Sequence, residues 1–121
     1  MVVAYWIVAG VLALFYLYSG GLKVVRTREQ LRPMMGWVDS VPLGFVRIIG
    51  VLEILGAVGL IVPPLAGVAE WLSILAAISL ALLQVGGIAL HMRRGAASVI
   101  GLNIALLIGA VETAWLATVW L

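Results

Sequence analysis

Four long stretches of this chain carry almost no charge, and this limits its fold more than any other feature. Residues 1–22 contain no charged residue; 43–62 contain only Arg47 and Glu53, 65–90 only Glu70, and 99–121 only Glu112. A helix needs about 20 apolar residues to cross the hydrocarbon core of a bilayer, so each stretch is long enough to span. Transmembrane β-strands alternate over about ten residues, whereas these runs are continuous and longer. A soluble fold fails on composition. The chain is 65% hydrophobic and 10% charged, against roughly half and a quarter in soluble domains. Disorder fails for the opposite reason, because so much apolar mass collapses. The fold class that follows is all-α: a polytopic membrane protein, one membrane domain over residues 1–121, built as a four-transmembrane-helix bundle.

Charge and proline place the boundaries. We expect helices over about 2–22, 43–62, 65–90 and 99–120, with polar loops at 23–42 and 91–98. Pro63-Pro64 is expected to stop the second span and open the third, since proline lacks the N–H that a helix interior needs. The first run lacks the basic start of a signal peptide and is taken as a span. All seven Lys and Arg residues lie in or beside two connections: Lys23, Arg26, Arg28, Arg32 and Arg47 at the first, Arg93 and Arg94 at the second. The positive-inside rule makes both loops cytoplasmic and puts both termini outside. The basic balance is accounted for by this topology, with no nucleic acid as partner. Trp37 in the first loop, and Trp6, Trp71, Trp115 and Trp120 toward the outer ends, fit interfacial aromatic belts.

Helices in lipid pack through small residues and turn polar groups inward. At 100° per residue, the first span collects Tyr5, Ala9, Leu12, Tyr16, Ser19 and Lys23 on one face. The second collects Gly50, Glu53, Gly56 and Ala57, with Arg47 at the edge. The third collects Glu70, Ser73, Ala77, Ala81, Gln84 and His91. On the fourth, Gly101, Ala105, Gly109 and Glu112 form the expected inward stripe, with Asn103 opposite. Polar residues on both sides of this helix point to a homo-oligomer, most simply a dimer, or to a larger membrane complex.

A charged group in hydrocarbon costs at least about 2.5–3.5 kcal/mol, so the intramembrane polar residues are the candidate site. Glu53 and Glu112 are the candidate acid–base groups. Lys23, Arg47, Tyr16, Gln84 and Asn103 are the candidate ligand-binding groups. Arg47 and Glu53 lie six residues apart, about 9 Å along the axis and roughly 120° around it, so each must find its partner off its own helix. With no cysteine and a single histidine, His91, the chain lacks a soft-ligand set, and scattered glutamates form no coordination shell. No metal or resident cofactor is expected. Three functions remain: binding of a lipophilic small molecule within the bundle, acid–base catalysis on a lipophilic substrate (isomerisation, cyclisation or epoxide opening) through Glu53 or Glu112, and service as an assembly or structural subunit.

Several of these residues fall in a recognisable order. Ser19-Gly20-Gly21-Leu22-Lys23 ends the first span, and Trp37 follows in the loop. Arg47-x-x-Gly50-x-x-Glu53-x-x-Gly56-Ala57-x-Gly59-Leu60 leads to Pro63. His91 and Arg93-Arg94-Gly95 close the third span, and Asn103 comes early in the fourth. This set, over about residues 15–105, resembles the DoxX-like family of small four-helix bacterial membrane proteins. The resemblance implies a bundle in the bacterial cytoplasmic membrane. Some relatives are subunits of a thiosulfate:quinone oxidoreductase, others are grouped with membrane redox complexes, and animal relatives act in receptor assembly. Relatives so diverse carry over the fold more than the activity, and the positions here that match the family's are Lys23, Arg47, Glu53 and Asn103; in the ligand-binding reading the bound molecule is quinone- or isoprenoid-like, beside a membrane redox partner. Helix four beyond Asn103, Glu112 included, lies outside the resemblance.

Overall fold

The computed structural model describes residues 1–33, 35, 41–95 and 100–121. Helix α1 spans Val2–Val25, α2 Arg28–Leu31, α3 Leu43–Ala66, α4 Leu72–Arg93 and α5 Gly101–Leu116, and a 3-10 turn, Ala117–Trp120, continues α5. No strand occurs among the described residues. Among the described residues, four helical segments are long and apolar enough to cross a membrane: α1, α3, α4, and α5 with its 3-10 extension. Each packs on the next in the chain, and α5 closes on α1 through a thinner seam. Trp37 and Asp39 lie outside the described residues.

Several boundaries differ from expectation. Helix α1 runs on to Val25, which brings Lys23 out of the supposed loop and into the bundle. Helix α3 continues through Pro63-Pro64 to Ala66. Pro64 cannot donate to the Leu60 carbonyl one turn back, and in lipid no water can take its place. The Tyr5 hydroxyl donates to that carbonyl instead, at 2.5 Å. The helix therefore survives its prolines and stops at Gly67, whose left-handed backbone (φ 68°) is easy only for glycine. There the Val68 N–H bonds the Pro63 carbonyl, as in a Schellman close. As a result α4 starts at Leu72 rather than 65, and Glu70 sits in the turn. The fourth boundary shift is small: α5 starts at Gly101 and its last turn tightens to 3-10.

The inward stripe of α1 is buried at all six expected positions. Gly50, Glu53, Gly56 and Ala57 are buried on α3, and Ser73, Ala77 and Gln84 on α4. The expectation for the fourth span holds only at Gly109, which is half-buried against Leu12 of α1. Gly101, Ala105 and Glu112 are exposed, and the inner face of α5 is Ala110, Thr113 and Leu116. Small residues lie on both sides of this helix, so they single out neither. Asn103, placed outside by the projection, is half-buried and bonds inward to α4. The core consists of Tyr5, Ala9, Leu12, Tyr16, Leu60, Leu80 and Ala110 with their neighbours. A smaller cluster of Leu22, Leu31 and Val46 fastens α2 beneath the ends of α1 and α3. That short helix opens with a Thr27–Gln30 capping box.

Candidate functional site

The site forms where α1 and α3 cross. A Cβ built on Gly20 would lie 2.7 Å from the Gly50 carbonyl oxygen, and one on Gly50 would lie 2.8 Å from that of Gly20. Both positions must be glycine for the backbones to come this close. The same contact sets the register. Gly20 faces the Glu53 Cβ and Gly50 faces the Lys23 Cβ, so Lys23 and Glu53 stand about one turn apart in depth. Side chains tilt toward the N-terminus of their own helix, and the two helices run antiparallel. Lys23 therefore tilts into the bundle and Glu53 tilts down toward it.

Their meeting is the central polar contact. Lys23 Nζ donates to Glu53 Oε1, forming the one ion pair among the described residues, and also to Ser19 Oγ at 2.9 Å. Lys23 is 6% and Glu53 3% exposed. Pairing in a low-dielectric interior offsets the desolvation of both groups. Arg47 acts differently. It is half-buried, and its Nη1 donates to the Lys23 carbonyl at 2.7 Å. That carbonyl belongs to the last turn of α1, where acceptors lack intrahelical donors and the helix dipole is negative. Arg47 is thus a C-terminal cap for α1.

A second polar chain enters from the far side. Asn103 Nδ2 donates to Gln84 Oε1 at 2.9 Å, and Gln84 Nε2 donates to Tyr16 Oη at 2.8 Å. Room for the Asn103 amide comes from Gly87, where an added Cβ would lie 2.9 Å from Asn103 Nδ2. The structure therefore assembles two polar groups, Ser19 with Lys23 and Glu53, and Tyr16 with Gln84 and Asn103. Glu112 is not among them; it is exposed on the outer face of α5. Ser19 as a ligand of Lys23, and Gly87 as the space for Asn103, were missed in the sequence. The i, i+4 spacing of Ser19 and Lys23 was the available signal for the first.

An apolar groove of about 550 Å³ runs along the outside of the α3/α4 seam, lined by Leu52, Leu55, Gly56, Gly59, Leu75 and Ser79 among others. Gly56 stands one turn from Glu53 and faces Leu80, itself one turn from Gln84. The groove thus passes beside the polar cluster, with the Gly56–Leu80 contact between them.

A bundle of four membrane-capable helices holding an ion pair and an amide–phenol chain is a small polytopic membrane protein with a polar heart. The chain matches the family model described as DoxX-like over residues 7–113 and belongs to that family. The match reaches past Asn103 and takes in Glu112, which the sequence motifs left out. No curated protein and no solved structure matches the chain.

Proposed function

We propose that this DoxX-like membrane protein binds a lipophilic small molecule, quinone- or isoprenoid-like, in the bacterial cytoplasmic membrane, alongside a membrane redox partner. The α3/α4 groove carries this reading. Its volume of about 550 Å³ falls in the range of small-molecule sites, roughly 300–1,000 Å³. Its walls are apolar, and it opens sideways to lipid next to the buried polar cluster. Leu55 and Leu75 line it and are largely exposed, so enlarging either fills the groove without entering the core. Protein purified in mild detergent should retain a defined lipophilic species by mass spectrometry. Leu55→Trp and Leu75→Trp should lose that species and still fold. Retention of bulk membrane lipids alone, unchanged by either substitution, would count against the reading.

The proposed topology has both termini outside, following the basic residues at the opposite end. Reporter fusions at either terminus that are active only in the cytoplasm would overturn it. We also place a second copy against the outer face of α5. A carboxyl group facing hydrocarbon is costly, and a two-fold axis along the membrane normal brings the two copies of Glu112 to one depth, where each faces the other rather than hydrocarbon. The acid–base reading, by contrast, now has Glu53 alone at the cluster, held by Lys23.

A further inference from the structure

Two polar points interrupt the apolar walls of the α3/α4 groove, and both are acceptors. The first follows from Pro63. In a helix each N–H bonds the carbonyl four residues back, and proline has no N–H. Pro64 leaves the Leu60 carbonyl without its helical donor, and Tyr5 supplies one. Pro63 leaves the Gly59 carbonyl in the same state. A phenol has one hydrogen to give, so Tyr5 cannot serve both. The neighbouring hydroxyls are committed as well, Ser73 to the Glu70 carbonyl and Ser79 to that of Leu75. No side chain among the described residues donates to the Gly59 carbonyl.

Position turns this carbonyl toward the groove. A helical carbonyl points toward the C-terminus of its helix. The Gly59 oxygen therefore lies between Gly59 and Pro63, and both residues line the groove. Gly59 is half-buried, and with no side chain it meets the groove with backbone alone. It faces Ala76 on α4, whose Cβ lies 2.8 Å from where a Cβ on Gly59 would stand, so α4 sets only a methyl group opposite it. The second polar point is Ser79 Oγ on the α4 wall. Its hydrogen goes to the Leu75 carbonyl at 2.8 Å, which leaves lone pairs alone to face a ligand.

An unmet carbonyl in hydrocarbon is costly, because no water takes the place of the missing donor. A molecule that carries a donor into the groove removes that cost. We propose that the Gly59 carbonyl anchors the ligand of this groove, and that the ligand is an isoprenoid-type alcohol whose terminal hydroxyl donates to it. A quinone does not suit the same place, because its carbonyls are acceptors and meet only acceptors there. The anchor rests on the proposed binding of a lipophilic molecule in this groove, and narrows its chemistry to a hydroxyl-bearing one.

The test compares farnesol with farnesyl methyl ether, the same chain with and without the hydroxyl hydrogen. Binding of each to the full chain is measured in synthetic phospholipid nanodiscs, with empty nanodiscs subtracted. One net hydrogen bond corresponds to about fivefold in affinity, so farnesol should bind about that much tighter than the ether. Pro63→Ala returns the missing N–H to α3. It should erase the preference and leave binding of the ether as before. Pro63→Leu supplies the same N–H and serves if Pro63→Ala fails to fold. Ser79→Ala should keep the preference. A preference that survives the Pro63 substitution, or that Ser79→Ala removes, overturns Gly59 as the anchor. Equal binding of the two probes to the unsubstituted chain, abolished by Leu55→Trp, overturns the alcohol and leaves the groove as a lipophilic site. Binding of neither probe overturns both.

Discussion

Glu53 and Glu112 are the same residue on two membrane-capable helices, and the fold treats them in opposite ways. Glu53 is buried at the α1/α3 crossing and paired with Lys23. Glu112 is exposed on the outside of α5 and has no ion pair among the described residues. Polarity alone does not send a carboxylate into a bundle. It goes inward where a cation on a neighbouring helix meets it at the right depth, and where small residues let the two backbones approach. Gly20, Gly50 and Lys23 meet both conditions for Glu53. All seven Lys and Arg residues of the chain lie between Lys23 and Arg47 or at Arg93-Arg94, so none lies on α5 to meet Glu112.

The sharpest way to break this contrast is to remove the cation. Lys23→Met leaves Glu53 buried and unpaired, and loss of one member of a buried pair costs about 3–5 kcal/mol. Thermal unfolding in nanodiscs should show the largest drop of any variant here, while Glu112→Leu should show none. Comparable losses in the two would erase the distinction. Next in size is the crossing that makes the pair possible. In Gly50→Ala the new methyl group meets the Gly20 carbonyl oxygen at 2.8 Å. Overpacking of this kind costs about 1–3 kcal/mol, and the same thermal measurement should show an intermediate loss. Tyr16→Phe takes away the acceptor of Gln84 Nε2, and a stranded buried donor costs about 1–3 kcal/mol. The smallest effect on stability belongs to Glu112→Leu. Its readout is mass in mild detergent, where the proposed dimer should become a monomer. A variant that remains dimeric would take Glu112 out of the interface.

How far the sequence revealed this contrast depends on the helix. On α1, Tyr5, Ala9, Leu12, Tyr16, Ser19 and Lys23 fall at 3–4 spacing along a single face, and projection found these six of the nine buried positions. On α3, Glu53 and its glycines share a stripe for the same reason. The extension of α1 to Val25 was hidden by reading Lys23 as a loop cation, when its charge is neutralised inside the bundle. The passage of α3 through Pro63-Pro64 depends on Tyr5, 55 residues away from the carbonyl it rescues, and no local rule registers such a bond. On α5, small residues flank both faces, and the assumption that a carboxylate must turn inward chose the wrong one. Asn103 was misplaced with it, because its partner Gln84 lies on another helix.

A double-mutant cycle on Lys23 and Glu53 tests the account most directly. Lys23→Met, Glu53→Leu and the combined variant would be compared with the parent by reversible unfolding in the same lipid. Replacing a buried ion pair by apolar residues of similar volume is often neutral or stabilising. The account therefore predicts that each single variant is destabilised by about 3–5 kcal/mol, and that the double variant recovers most of the loss, leaving a large coupling between the two positions. Additive losses, with the double variant the least stable of the four, would contradict it and show that Lys23 and Glu53 do not form the pair on which the bundle's polar centre is built.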